Sequence, residues 1–204
     1  MTDIVTRIAQ RALARRGANY ADEVRRLLDA ALAVMRERGT GSRPRVADIV
    51  AAAGLSNDAF YRHFPSKDAL VAALIEDGAE RLLSYLAHQM DKEVTAQGKI
   101  RRWVEGILAQ GADDTAATTR AVLWNAGTLA EDCATGFRSA DVLLASLLYQ
   151  PFTELGSADP EFDAALVAHA IVGKLGDYLQ RRVQPAPADV QRMTLFCLRT
   201  AAPA

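Results

Sequence analysis

Residues 46–70 read Val46-Ala47-Asp48-Ile49-Val50-Ala51-Ala52-Ala53-Gly54-Leu55-Ser56-Asn57-Asp58-Ala59-Phe60-Tyr61-Arg62-His63-Phe64-Pro65-Ser66-Lys67-Asp68-Ala69-Leu70. The fold turns on how the middle of this string is parsed. Val46, Ile49, Val50 and Ala53 share one helix face, which Gly54 closes. Gly54 can take φ > 0 at no steric cost, Ser56 can cap a following helix through its hydroxyl, and Leu55 can staple onto Phe60. One helix therefore ends and another begins within three residues. The second runs from Asn57 to His63, because Pro65 disfavours helical geometry at Phe64 and Ser66 offers a fresh cap to a long helix with the apolar line Leu70, Leu74, Leu82 and Leu86. This spacing predicts a helix-turn-helix corner whose short second helix is fixed at both ends.

A short helix set across another by a tight turn has the size and shape of an element that enters the major groove. Asn57, Asp58, Tyr61, Arg62 and His63 crowd polar groups onto about two turns. Phe60 and Phe64 are left to pack inward. Lys67 adds positive charge where free helix N–H groups already favour a phosphate. A plain helical corner with a solvated polar face fits the same pattern, since such shapes occur without DNA.

Outward from the corner, the periodicity is helical nearly everywhere, and an all-α fold follows. Val24, Leu27, Leu28, Ala31, Leu32 and Met35 mark a helix from Tyr20 to Arg38, stopped by Gly39. Ahead of it, Ile4, Ile8 and Ala12 recur with arginines between them, as either a short basic helix ended near Gly17 or a disordered arm. After the linking helix, breaks at Gln97-Gly98, Gly111–Asp114, Asp132–Gly136, Gly156–Pro160 and Pro185–Pro187 separate five further helical segments. The expected division is a basic extension (1–19), a helix-turn-helix domain (20–66) and a helical body (67–204).

Composition agrees with a globular protein. The 204 residues are 50% hydrophobic and 24% charged. No window approaches about 18 unbroken apolar residues and the first 16 positions hold four arginines, so neither a membrane span nor an export signal is expected, and the cytoplasm is the expected compartment. Cys133 and Cys197 fit neither a disulfide framework nor a zinc site and read as buried, reduced small residues; no metal or cofactor is expected. The formal charge of -1 conceals an asymmetry. Residues 1–70 hold 12 basic and 8 acidic residues (+4), leaving 24 - 12 = 12 and 25 - 8 = 17 (-5) for the remainder. A basic head on an acidic body points to a polyanion at the head.

The combination of Ile49, the Ala53-Gly54-Leu55-Ser56 turn, the Tyr61-x-His63-Phe64 cluster and Lys67-x-x-Leu70 closely resembles the DNA-binding signature of the tetracycline-repressor (TetR/AcrR) family. With the helix from Tyr20, the resemblance covers about 50 residues; the rest matches only in being helical and of suitable length. It implies that Tyr61, His63 and Lys67 contact phosphates, with Tyr61 also near a thymine methyl, and that Asn57 and Asp58 face base edges. Asn can pair with adenine, and a carboxylate can either accept from cytosine N4 or simply favour its helix N-terminus. Ser56 and Arg62 complete the candidate surface. Arg45 stands where the family often has a threonine that caps the helix and binds phosphate, Asp58 replaces a frequent glycine, and Phe60 a frequent leucine. Arg45 would serve by charge.

The resemblance further implies that the last two helices, roughly 160–183 and 187–201, pair with their copies in a second subunit, with Leu166, Leu175, Leu179, Met193 and Phe196 as candidate contacts. A homodimer sets two short helices into successive major grooves about 34–36 Å apart, so the operator should be an inverted repeat. Trp103, Leu108, Leu123, Trp124, Leu129, Phe137, Leu144, Leu148, Tyr149 and Phe152 are candidates to line an apolar cavity for a small apolar effector, with Asn125, Thr128 or Arg120 as polar contacts. Repression relieved by that effector is the expected logic. Two competitors stand beside it: an interaction protein that keeps the fold without binding an operator, and a helical-bundle enzyme. The second finds little in the sequence, since His63, His88 and His169 are scattered and no H-x-x-x-H, G-x-S-x-G or Gly-rich phosphate loop occurs, leaving no catalytic residue to nominate.

Overall fold

The structure, a computed structural model, describes the backbone of residues 4–126 and 135–201 and the side chains of 17–112, 114–126 and 142–201. Among these residues it contains nine α-helices, one 3-10 turn (Ala109–Gly111) and no strand. They are α1 (Ile4–Arg38), α2 (Val46–Ala53), α3 (Asn57–His63), α4 (Lys67–Met90), α5 (Ala96–Leu108), α6 (Asp113–Ala126), α7 (Thr135–Leu155), α8 (Pro160–Arg181) and α9 (Pro187–Thr200).

The head is built by α1–α3 and the start of α4. Gly54 ends α2 in the left-handed region (φ 63°, ψ 37°), and the Leu55 N–H closes the turn on the Val50 carbonyl at 2.9 Å. The Ser56 hydroxyl then accepts from the Ala59 N–H (3.1 Å) and the Ser66 hydroxyl from the Ala69 N–H (3.1 Å), capping α3 and α4 in turn. Leu27, Ala31, Met35, Ile49, Phe60 and Leu70 form one continuous core, with Leu55 packed against it. At roughly 1.5–3 kcal/mol for each large apolar side chain fully buried, this cluster rather than local propensity holds the two short helices α2 and α3 against α1 and α4.

One expectation needs correction. The basic extension is neither a separate helix ended at Gly17 nor a loose arm; α1 runs unbroken for 35 residues from Ile4. A glycine inside a helix costs only about 1 kcal/mol relative to alanine. Helix formers on both sides outweigh that, and a side chain placed at Gly17 would meet nothing. Similarly, Gly98 does not break the chain but sits in the first turn of α5, where its N–H donates to the capping Thr95 hydroxyl at 3.0 Å.

The body has a second core from α4, α5 and α7–α9, centred on Leu86, Ile100, Trp103, Leu148, Phe152, Ile171 and Cys197. Helix α4 belongs to both cores: Leu70, Val71, Leu74 and Ile75 pack in the head, Leu86 and Met90 in the body. Helix α6 also reaches across, since Ala121 and Ala126 are buried in the head's cluster. Two further contacts join α6 to the head, Arg36 Nη2 to Asp114 Oδ2 at 3.3 Å and the Arg43 guanidinium over the Trp124 ring at 5.5 Å. Among the described residues no helix is long and apolar enough to cross a membrane.

Candidate nucleic-acid interface

Seven residues make α3, and their pattern sorts them into two faces. Ala59 and Phe60 are buried, whereas Asn57, Asp58, Tyr61 and Arg62 are exposed, Tyr61 at 58%. The Tyr61 ring is held edge-on against Phe60, with centroids 5.2 Å apart, so its outward position is set from beneath. Ser56 is exposed; its oxygen accepts from Ala59, which leaves its own proton to donate. Lys67 is half-buried in the first turn of α4, and Arg45 is exposed beside the first turn of α2.

The departure at Arg45 has a structural answer. An arginine side chain cannot accept from the helix N–H groups, but Asp48 reaches back from the first turn and accepts from the Arg45 N–H at 2.9 Å. Asp48 is itself held by Arg38 at 2.9 Å. The start of α2 is thus fixed by a carboxylate and the α1 guanidinium, while the Arg45 side chain remains exposed.

Helix α1 holds the short helix from its own face. Arg26 donates from Nη2 and Nε to the Ala53 carbonyl (2.6 and 3.2 Å) and from Nη2 to the Gly54 carbonyl (3.2 Å), satisfying the end of α2 at the turn. Tyr20 donates its hydroxyl to the Arg62 carbonyl at 3.0 Å. Glu23 accepts from both Arg62 Nη2 (3.1 Å) and His63 Nε2 (2.7 Å). The hydrogen bond from His63, then the one from Arg62, hold the Glu23 carboxyl below its ordinary range.

His63 occupies a place that its motif alone does not convey. Its side chain is fully buried, it donates to Glu23, and the Tyr20 ring lies edge-on at 4.0 Å. Its Nδ1 is buried without a partner. In this arrangement the imidazole braces α3 against α1 and presents no atom to solvent. Tyr20, Glu23 and Arg26 were missed by motif reasoning. Their signal is polar residues at three-residue spacing on the stripe of α1 that otherwise turns Leu27 and Ala31 into the core.

The candidate effector residues scatter. A cavity of about 300 Å³ lies between α1 and α4–α8, lined by Leu32, Leu74 and Ile75 on the head side and by Thr118, Leu123 and Val172 on the body side. Among the described residues, the sequence candidates that line it are Leu123 and Leu144. Trp103, Leu148 and Phe152 are fully buried in the body core, where Trp103 Nε1 donates to the Leu144 carbonyl at 3.0 Å; packing there has already filled their surroundings. Leu108 belongs to the same core and Tyr149 packs against it, Trp124 lies at the surface beneath Arg43, and Phe137 falls outside the described side chains, as do Thr128 and Leu129. Asn125 is buried and donates to the Ala121 carbonyl, and Arg120 donates to the Leu179 carbonyl. The polar groups at the cavity are instead Gln110, Arg81 and the threonines Thr115, Thr118 and Thr119.

The candidate dimer contacts also divide. Leu166 (51% exposed) and Phe196 (42%) face outward, together with Phe162 and Leu195, and Met193 is half-buried. Leu175 and Leu179 face inward as part of the protomer's own core, which corrects their assignment. Nine residues separate Leu166 from Leu175, about half a turn in net rotation at about 100° per residue, so they cannot share a seam.

A capped helix-turn-helix carrying an exposed polar second helix, mounted on a helical body, has the architecture of the helix-turn-helix class of folds. Residues 27–74 match the model of the tetR family of bacterial regulatory proteins. Among its relatives are the nucleoid occlusion factor SlmA of Shewanella pealeana, 38% identical over 77 residues (38% of this chain, 39% of that protein), and that of Vibrio cholerae, 39% identical over 80 residues (39% and 41%). The chain thus spans about two fifths of these relatives' length. Solved structures match nearly throughout. A TetR-family transcriptional regulator from Mesorhizobium loti superposes with a TM-score of 0.69 at 14% identity, covering 89% of this chain and 96% of that one. Reduced NemR of E. coli gives 0.67 at 18% identity (89% and 100%), and RolR in complex with resorcinol gives 0.63 at 17% identity (90% and 89%). At such identities the likeness is one of fold.

Proposed function

We propose that this protein is a homodimeric transcriptional regulator that binds an inverted-repeat operator through α3 and releases it when a small, largely apolar molecule occupies the cavity between head and body. The observation that carries the reading is the exposed face of Asn57, Asp58, Tyr61 and Arg62 on a helix pinned by the Gly54 turn, Arg26 and Glu23. Such a rigid, donor-rich element loses little entropy on entering a groove. Arg45 and Lys67, at the starts of α2 and α4, add charge beside helix N-termini for flanking phosphates. The exposed apolar residues of α8 and α9 support dimerisation. The cavity supports an effector because it is lined by head and body residues together.

Asp58 favours a second reading. A carboxylate exposed on the reading face repels phosphates wherever no cytosine amino group meets it, as expected of an interaction protein that has lost its operator. Selection of bound genomic fragments followed by gel retardation separates the two. For the regulator, retention weakens steeply with salt, Lys67→Ala weakens binding across sequences, and Asn57→Ala relaxes selectivity. A screen for compounds that release the fragment then tests the effector, with Leu123→Trp, which fills the cavity, as the insensitive control. Absence of salt-sensitive retention by folded protein would favour the second reading.

A further inference from the structure

The net positive charge of the head is concentrated in its first 19 residues. They hold Arg7, Arg11, Arg15 and Arg16 against Asp3, a balance of 4 - 1 = +3. Residues 20–70 hold eight basic and seven acidic residues, only +1. Four of those eight cations are already engaged: Arg26 with Asp22, Arg36 with Asp114, Arg38 with Asp48 and Arg62 with Glu23. Without its extension the helix-turn-helix is close to neutral, a weak electrostatic partner for a duplex that carries one negative charge per about 1.7 Å.

The backbone gives those arginines a defined setting. Helix α1 continues without interruption from the residues that grip α3, Tyr20 and Glu23, back to Ile4. Sixteen residues at about 1.5 Å each carry it about 24 Å beyond Tyr20. Arg7, Arg11 and Arg15 stand at i, i+4 and i+8, and so share one stripe of that projecting helix. By register the stripe lies roughly opposite the one that carries Leu27 and Ala31, which are buried in the head's core.

We propose that the N-terminal extension of α1 is a second DNA-contacting element, a rigid arm whose stripe of Arg7, Arg11 and Arg15 lies along backbone phosphates flanking the half-site read by α3. The arm supplies most of the head's charge and little sequence selectivity, since phosphate contacts carry no base information. The inference rests on the DNA-binding reading above. Charge complementarity selects its occupant: a stripe of guanidiniums, on the helix that grips the groove-reading element, meets a regular line of phosphates.

The test compares wild type with Arg7→Gln/Arg11→Gln/Arg15→Gln on one selected fragment, measuring affinity across about 50–200 mM salt. Retention by wild type reports the DNA-binding reading; the difference between the proteins reports the arm. Loss of three phosphate contacts per protomer makes the slope of log K against log salt shallower by about 2.7, or about 5 for a dimer. The triple Arg→Lys variant keeps the charge and should restore the slope, which separates lost contacts from lost folding. Base preferences in a mixed-fragment selection should stay unchanged. A Gln variant whose slope falls within about 1 of wild type overturns the proposal. So does capture of wild type by vesicles rich in anionic lipid together with an unchanged DNA slope.

Discussion

The turn between α2 and α3 depends on Gly54, which takes positive φ, and on Arg26, which donates to the Ala53 and Gly54 carbonyls, and substituting both measures how rigidly the reading helix is set. Gly54 sits at φ 63°, and a methyl there would also lie 3.1 Å from Arg26 Nη2. The left-handed conformation costs an L-residue roughly 1–2 kcal/mol. Displacing the guanidinium weakens its 2.6 Å bond to the Ala53 carbonyl. A hydrogen bond from a charged donor contributes about 1.5–3 kcal/mol, which the exposure of this side chain reduces to about 1 kcal/mol. Gly54→Ala should therefore destabilise the fold by about 2–3 kcal/mol, or about 4–12 °C in Tm for a chain of this size.

Arg26→Ala alone should cost about 1–2 kcal/mol, because two carbonyls lose their donor yet remain partly accessible to water. In the double variant the Arg26 contribution is lost only once, so the two effects should fall short of additivity by about 1 kcal/mol. Urea titrations followed by circular dichroism, with the denaturant slope compared across the four proteins, provide the measurement. Strict additivity would refute the displaced guanidinium as the link, and a Gly54→Ala protein as stable as wild type would refute the strain argument altogether.

The other expectations can be read with similar means. Because the folded-state pKa of Glu23 lies below its ordinary 4.5, the stabilisation from its charge is complete above that pH and is lost as pH falls through the lower folded value; a urea midpoint measured against pH should show a shallower acid limb in Glu23→Gln than in wild type. Burial pushes the Cys197 thiol up to about 12, so in a Cys133→Ser background a thiol reagent at pH 8 should react only as fast as the protein opens, and prompt stoichiometric labelling would contradict the packing. Leu166→Glu/Phe196→Glu places carboxylates on the exposed apolar face of α8 and α9, and light scattering should find a monomer with unchanged helicity. Gly106→Ala drives a methyl into Leu86 and the Tyr85 ring, an overpacking that should lower stability by about 1–3 kcal/mol.

What could be read along the chain follows from range. The α2–α3 corner was legible because its determinants are local: a glycine that must take positive φ, a serine that caps three residues ahead, and a proline that stops the next turn. The same glycine rule overshot at Gly17 and Gly98, where the backbone is ordinary helix and the flanking residues decide. Faces were harder. Helix α8 is apolar around much of its circumference, so composition offered Leu166, Leu175 and Leu179 together, although helical phase alone separates the first from the other two. The braces from Tyr20, Glu23 and Arg26 were not legible, because they depend on which helices approach one another over separations of 27 to 42 residues, and the cavity wall joins residues as distant as Leu32 and Val172.

Helix α6 decides how an occupant of the cavity would act on the head. Its Thr115, Thr118, Thr119, Val122 and Leu123 line the cavity, while its Ala121 and Ala126 are buried in the head's core. A ligand shifts an equilibrium only by its difference in affinity between two states. Lowering operator affinity a hundredfold requires about 2.7 kcal/mol of coupling. The Arg36–Asp114 pair is exposed at both ends and is worth at most about 1 kcal/mol. The Arg43–Trp124 contact, at the surface, adds about 0.5–1 kcal/mol. Breaking both falls short of the requirement. An effector of that strength would therefore have to move α6 far enough to unpack Ala121 and Ala126 from the head, or act through Leu74 and Ile75 of α4 on the opposite wall, so that any route between cavity and DNA would run through packed core rather than through the Arg36–Asp114 salt bridge.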